Sequence, residues 1–107
     1  MKLLARLASL GVLCVSLSAA AAPPAIKAQF AFDVMKPTTR CAKVTGALLT
    51  KLTKSYTCTV PADPTASASG KRMTAQCKAN QGESSFTVMS TLKDCEDERE
   101  TMLSNGT

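Results

Sequence analysis

Four cysteines set at near-even intervals constrain this chain more than any other feature. Cys41, Cys58, Cys77 and Cys95 follow one another at spacings of 17, 19 and 18 residues, and the sequence contains no histidine. A structural zinc site draws on short C-x-x-C pairs or on histidine, so the spacing points to two disulfides, with no metal and no other cofactor expected. Closing one such interval stabilises a fold by about 3 kcal/mol in the chain-entropy account, a large share for a small domain.

A fifth cysteine, Cys14, belongs to a different part of the chain. Lys2 and Arg6 open the sequence, and residues 7–17 are almost wholly apolar or small. That run is too short to span a bilayer and reads as the core of a cleavable signal peptide, residues 1–20, with Ser18 and Ala20 as the small residues before the cut. Leu13 places a bulky side chain where a lipoprotein signal requires a small one, so Cys14 is expected to leave with the leader. Residues 21–107, 87 in all, are then a single small disulfide-stabilised domain with no further membrane span. An even number of thiols in an exported chain implies a periplasmic or secreted location. The alanine-rich leader points to the bacterial envelope.

Hydrophobic periodicity divides the mature chain. Alternation of Ile26, Ala28, Phe30, Phe32 and Val34 with Lys27, Gln29, Ala31, Asp33 and Met35 predicts a strand ended by Pro37. Thr38 is a candidate N-cap for an amphipathic helix to Thr53, carried by Cys41, Val44, Leu48 and Leu52, with Gly46 a point of bending. Tyr56, Cys58 and Val60 mark a second strand closed by Pro61. Residues 62–70 read as a mobile loop, and residues 72–79 and 86–92 alternate on either side of Asn80-Gln81-Gly82-Glu83 as a hairpin. From Asp94 the chain is acid-rich and fits a short terminal helix. The expected fold is α+β, a small two-layer sandwich: an antiparallel sheet of about four strands, one long helix packed on it and a short C-terminal helix.

The hairpin bears on the disulfide pairing. Cys77 lies three residues before the turn and Cys95 beyond the far end of the partner strand, some 20 Å apart at 3.3 Å per residue, so this pair is disfavoured. Cys41 with Cys95 and Cys58 with Cys77 is the preferred arrangement.

Absences bound the chemistry. Without histidine, Ser-His-Asp, Cys-His and histidine-based nuclease mechanisms are excluded. A Ser-Lys or carboxylate hydrolase remains formally open, but no motif singles out Ser84, Ser85 or Ser90. The acidic run Asp94, Glu96, Asp97, Glu98 and Glu100 lacks the calcium-loop pattern and reads as a solvated helix end. Residues 21–93 carry ten basic and three acidic side chains, and the tail beyond them five acidic and one basic. Arg40, Lys43, Lys51 and Lys54 fall within about 80° on a helical wheel, a candidate partner-binding stripe for an unknown protein or an anionic envelope partner. The acidic tail could dock on that stripe instead. With all four aromatics assigned to the core there is no base-stacking platform, so nucleic acid is not an expected partner. Residues 62–70 followed by Lys71-Arg72 could form an inhibitory loop facing proteases that cut after basic residues. These readings favour a non-catalytic binding module, an inhibitor or accessory protein of the bacterial envelope, over a small hydrolase or a structural envelope component.

Overall fold

Where a chain this short places its apolar side chains decides how many faces its sheet can cover. The computed structural model describes residues 23–106; the leader over residues 1–20, with Cys14, lies outside the described residues. The elements in chain order are β1 (Phe30–Asp33), β2 (Ala42–Lys43), α1 (Gly46–Lys54), β3 (Tyr56–Thr59), β4 (Ala75–Ala79), β5 (Ser85–Met89) and α2 (Leu92–Gly106). The strands form one five-stranded sheet in the order β2-β1-β5-β4-β3, every neighbouring pair antiparallel.

Side chains alternate across a strand, so each strand feeds two faces. Ala31, Ala75, Cys77, Phe86 and Val88 join Leu52 of α1, together with Ile26, Val44 and Tyr56, in one buried cluster. Phe32 and Met89 join Cys95 of α2 and Met73 in a second, with Phe30 and Met102 packed against it. The helices therefore cover opposite faces, which corrects the expected two-layer sandwich to helix, sheet and helix. The polar residues Thr57, Thr59 and Lys78 leave the α2 side of β3 and β4 exposed.

The expected first strand is cut to four residues by a turn at each end. Gln29 N–H donates to the Ile26 carbonyl at 3.0 Å, and Ala28 between them takes a left-handed φ of 65°. At the other end the Asp33 side chain accepts the Met35 N–H and the Asp33 carbonyl accepts that of Lys36. The long helix over residues 38–53 is also corrected. Cys41 is bonded to Cys95, and Ala42 and Lys43 pair with Ala31 and Phe30, so this stretch is extended edge rather than helix. The helix begins only at Gly46, whose φ of +54° lets the chain turn sharply out of an extended Thr45. Gly46 is thus a start, not a bend. α1 spans about 14 Å, and with its flanking residues it carries the chain over one face from edge strand β2 to edge strand β3, about 19 Å away. Lys51 and Lys54 in its last turn complement its dipole.

The hairpin is present as β4 and β5, closed by Ala79 N–H donating to the Ser84 carbonyl at 2.9 Å. The terminal helix, expected to be short, is the longer of the two at 15 residues, and Thr91 caps it by accepting the Asp94 N–H. Both disulfides follow the preferred pairing. Cys58 sits directly opposite Cys77 in the β3–β4 register, and Cys41 ties the connection after β1 to α2. Two disulfides in a domain of this size are compatible with an extracellular or periplasmic setting.

The bridges close chain segments of separation 54 and 19. Replacing Cys41 and Cys95 with alanine should cost about 4 kcal/mol, and replacing Cys58 and Cys77 about 3 kcal/mol. Urea unfolding of the two variants against the oxidised parent checks the order; a larger loss from the second pair would contradict a loop-closure origin.

Candidate functional site

Helical spacing carries Glu98 inward. Cys95 and Met102 pack against the sheet from α2, and Glu98 lies between them at three and four residues, on the same side. Only 3% of Glu98 is exposed. A buried carboxylate must be satisfied by donors, and its donors come from the loop between β3 and β4. Glu98 Oε1 accepts the Ser69 N–H at 2.8 Å and the Ser69 hydroxyl at 2.6 Å, and Oε2 accepts the Ala68 N–H at 3.0 Å.

That loop carries its own bracing. Asp63 Oδ1 accepts from the Thr65 N–H and hydroxyl, Ser67 donates its hydroxyl to the Lys71 carbonyl at 2.7 Å, and Met73 N–H donates to the Pro64 carbonyl at 2.9 Å. The stretch read from the sequence as a mobile connector thus carries hydrogen bonds from Asp63 to Met73. The side chains of Asp63, Thr65, Ala66 and Ala68 nonetheless remain exposed, as does Arg72. Lys71 does not project freely, because its Nζ lies 3.6 Å from Asp94 and 3.4 Å from Asp97.

The acidic run is therefore more than a solvated helix end, and it does not dock on α1, which lies on the opposite face of the sheet. Glu96 pairs with the buried Arg99 at 2.6 Å and accepts the Cys41 N–H at 2.9 Å, while Arg99 also donates to the Pro37 carbonyl. Burial pushes the Glu96 carboxyl up, but Arg99, the Cys41 amide and the nearby charge of Arg40 together hold it below the usual range. Asp97 is lowered by its hydrogen bond to Lys93, against a smaller upward push from burial and with help from Lys71; the same bond raises Lys93.

The four cations expected on one helical face are divided. Arg40 lies in the loop after β1 and Lys43 on edge strand β2, whereas Lys51 and Lys54 lie on α1. Lys51 Nζ stands 5.9 Å from the Tyr56 ring centre and 5.5 Å from that of Phe86, two rings that meet edge to face. The single stripe rested on a helix running through residues 40–54, and the extended Ala42–Lys43 pairing removes it.

Of the candidate serines, Ser84 lines a hollow of about 490 Å³ beside Tyr56 and the hairpin turn. Its hydroxyl donates to Asp33 Oδ2 at 2.8 Å and accepts from the Tyr56 hydroxyl at 2.7 Å. The Ser84 hydroxyl thus ties β1 to β3. Among the described residues no group of three or more acidic or cysteine side chains is placed to hold a metal ion, and no helix is long and apolar enough to cross a membrane.

The sequence placed Glu98 with the other acids on a solvated helix end and did not single out Arg99, whereas both are buried. The available signal was their position three and four residues after Cys95, a residue that a disulfide to Cys41 must draw into the interior. No family model, curated protein or solved structure matches this chain.

Two outcomes follow from these carboxylates. Glu98→Gln should destabilise by about 1 to 3 kcal/mol, because an amide cannot accept from both sides of the loop, and amide exchange at Ala68 and Ser69 should quicken; unchanged exchange there would contradict the anchoring role. Glu96 and Asp97 are lowered on folding, so their stabilisation is present above the ordinary carboxylate range and is lost as pH falls through their lowered values. Thermal melting as a function of pH should therefore decline below about pH 4, and more shallowly in Glu96→Gln.

Proposed function

We propose that this chain is an exported, non-catalytic binding module that presents the segment 62–72 to a protein partner, as an inhibitor or accessory protein of the bacterial envelope. The observation that carries this reading is the use of a buried carboxylate, Glu98, to hold the backbone of an otherwise exposed loop. Ordering a loop before it meets a partner removes an entropic cost from association, and adaptable small side chains at its tip supply the contact. The Cys58–Cys77 bridge closes the same interval at its base.

The rest of the molecule fits this use. The Ser84 hydroxyl is engaged by Asp33 and Tyr56, which argues for bracing over nucleophilic attack. Retention on an anionic envelope surface through Arg40, Lys43, Lys51 and Lys54 is the weaker reading, since the two pairs belong to separate elements. Lys71 is held by Asp94 and Asp97, so recognition of a basic-specific protease would run through Arg72. Removal of residues 1–20 and release into the periplasm or beyond the cell belong to the same proposal.

The test is capture with the oxidised chain as bait, run beside an Ala66→Arg/Ala68→Arg variant and a control with Lys36→Glu, an exposed residue in the turn after β1. The partner should be retained by the parent and the control and lost at least in large part by the loop variant, with circular dichroism unchanged. Equal capture by the loop variant would refute the assignment of the contact to this segment.

A further inference from the structure

The two edges of the sheet are built differently. Edge strand β2 is two residues long and carries Lys43, both devices that discourage a foreign strand from pairing. Edge strand β3 has neither protection. It is four residues long, and its residues Tyr56-Thr57-Cys58-Thr59, continuing into Val60, carry no charge of their own.

The direction of its backbone groups follows from the register. Asn80 N–H donates to the Ser55 carbonyl at 3.0 Å, so residues 55 and 80 are a hydrogen-bonded pair, and by alternation so are Thr57 with Lys78 and Thr59 with Gln76. The N–H and C=O groups of Tyr56 and Cys58 must then point away from β4, on the side where, among the described residues, β3 has no second partner strand. Val60 continues the alternation, and Pro61 after it favours an extended backbone there.

Beside this edge, on the α1 face, lies an apolar groove of about 440 Å³ lined by Pro24, Ile26, Leu49, Leu52, Tyr56 and Cys58. A strand added to β3 would lay alternate side chains along it. Val60 of this same chain is an apolar side chain left 57% exposed, and it does not line the groove.

We propose that the β3 edge pairs with the β3 edge of a second copy, antiparallel about a two-fold axis through Cys58. Tyr56 then faces Val60 of the other copy, and Val60 faces its Tyr56, so each chain's exposed valine enters the other's groove. Thr57 faces Thr59 across the axis on the opposite side of the sheet. Charge agrees with this register: Lys54, just before β3, is brought towards Asp63 of the second copy, just after it, and both are exposed. The contact is isologous and closes at two chains, joining two five-stranded sheets into one of ten. It shares Asp63 with the segment 62–72 but uses neither Ala66 and Ala68, where the proposed use of that segment is tested, nor its anchor Glu98 on α2.

Sedimentation equilibrium of the oxidised chain tests the pairing, with hydrogen exchange read residue by residue at low and high concentration. The chain should dimerise as concentration rises, and the Tyr56 and Cys58 amides should become protected in step. Val60→Asp, at a position exposed in the single chain, should leave circular dichroism unchanged and weaken dimerisation by roughly tenfold or more, since it would bury an unpaired carboxylate. Thr57→Lys, also exposed, should weaken it through an independent contact. A chain that stays monomeric at all concentrations overturns the proposal. So does a dimer that survives both substitutions, or one that leaves the Tyr56 and Cys58 amides unprotected, because each means that another surface is in use.

Discussion

The covalent link between Cys41 and Cys95 places one end of the domain against the other, and most of the architecture hangs on it. It draws the start of α2 onto the connection between β1 and β2, beside the Cys41 N–H that Glu96 accepts. With α2 held there, the face carrying Phe32 and Met89 is covered by the C-terminal helix, and α1 is left to cover the face carrying Ala31 and Val88. A sheet sealed on both sides over its central strands buries more apolar area than one helix could cover. For a domain with so few large side chains this matters.

The charge asymmetry along the sequence takes its meaning from the same placement. Once α2 lies against the sheet, its acidic residues face the loop from β3 to β4 and the turn before Cys41, and they are consumed there. Glu98 binds loop amides, Glu96 holds Arg99 and Cys41, and Asp94 and Asp97 gather Lys71 and Lys93. Partly buried pairs of this kind act on which conformation is adopted as much as on how stable it is. Here they convert a stretch of alanine, serine and threonine without periodicity into a loop of defined shape. The opposite edge of the sheet, at β3, receives none of this attention and keeps its hydrogen-bonding groups turned outward.

Several features were legible from residue order. The hairpin, the strand at Tyr56, the terminal helix and the disulfide partners depend on local alternation, on turn residues and on the distance a strand can span. Two local signals misled. The spacing of Cys41, Val44, Leu48 and Leu52 fits a helix, yet Val44 is buried from the tight turn between β2 and α1, its N–H donating to the Gln29 carbonyl. A three- and four-residue recurrence over so few turns does not distinguish a helix from a strand followed by a helix. The acidic run looked like any charged helix start, because composition does not report which side of a helix meets the protein.

Residue order alone decided the number of bridges and the antiparallel hairpin at the centre, since each follows from covalent chemistry or from a period of two along the chain. Tertiary structure alone decided that α1 starts at Gly46, that the helices take opposite faces, that Glu98 is an interior anchor and that β3 is an open edge. The reason is physical: those outcomes are set by contacts between residues some 30 to 55 positions apart, such as Glu98 with Ser69 and Cys41 with Glu96. No local pattern of side chains encodes them until the chain has closed upon itself.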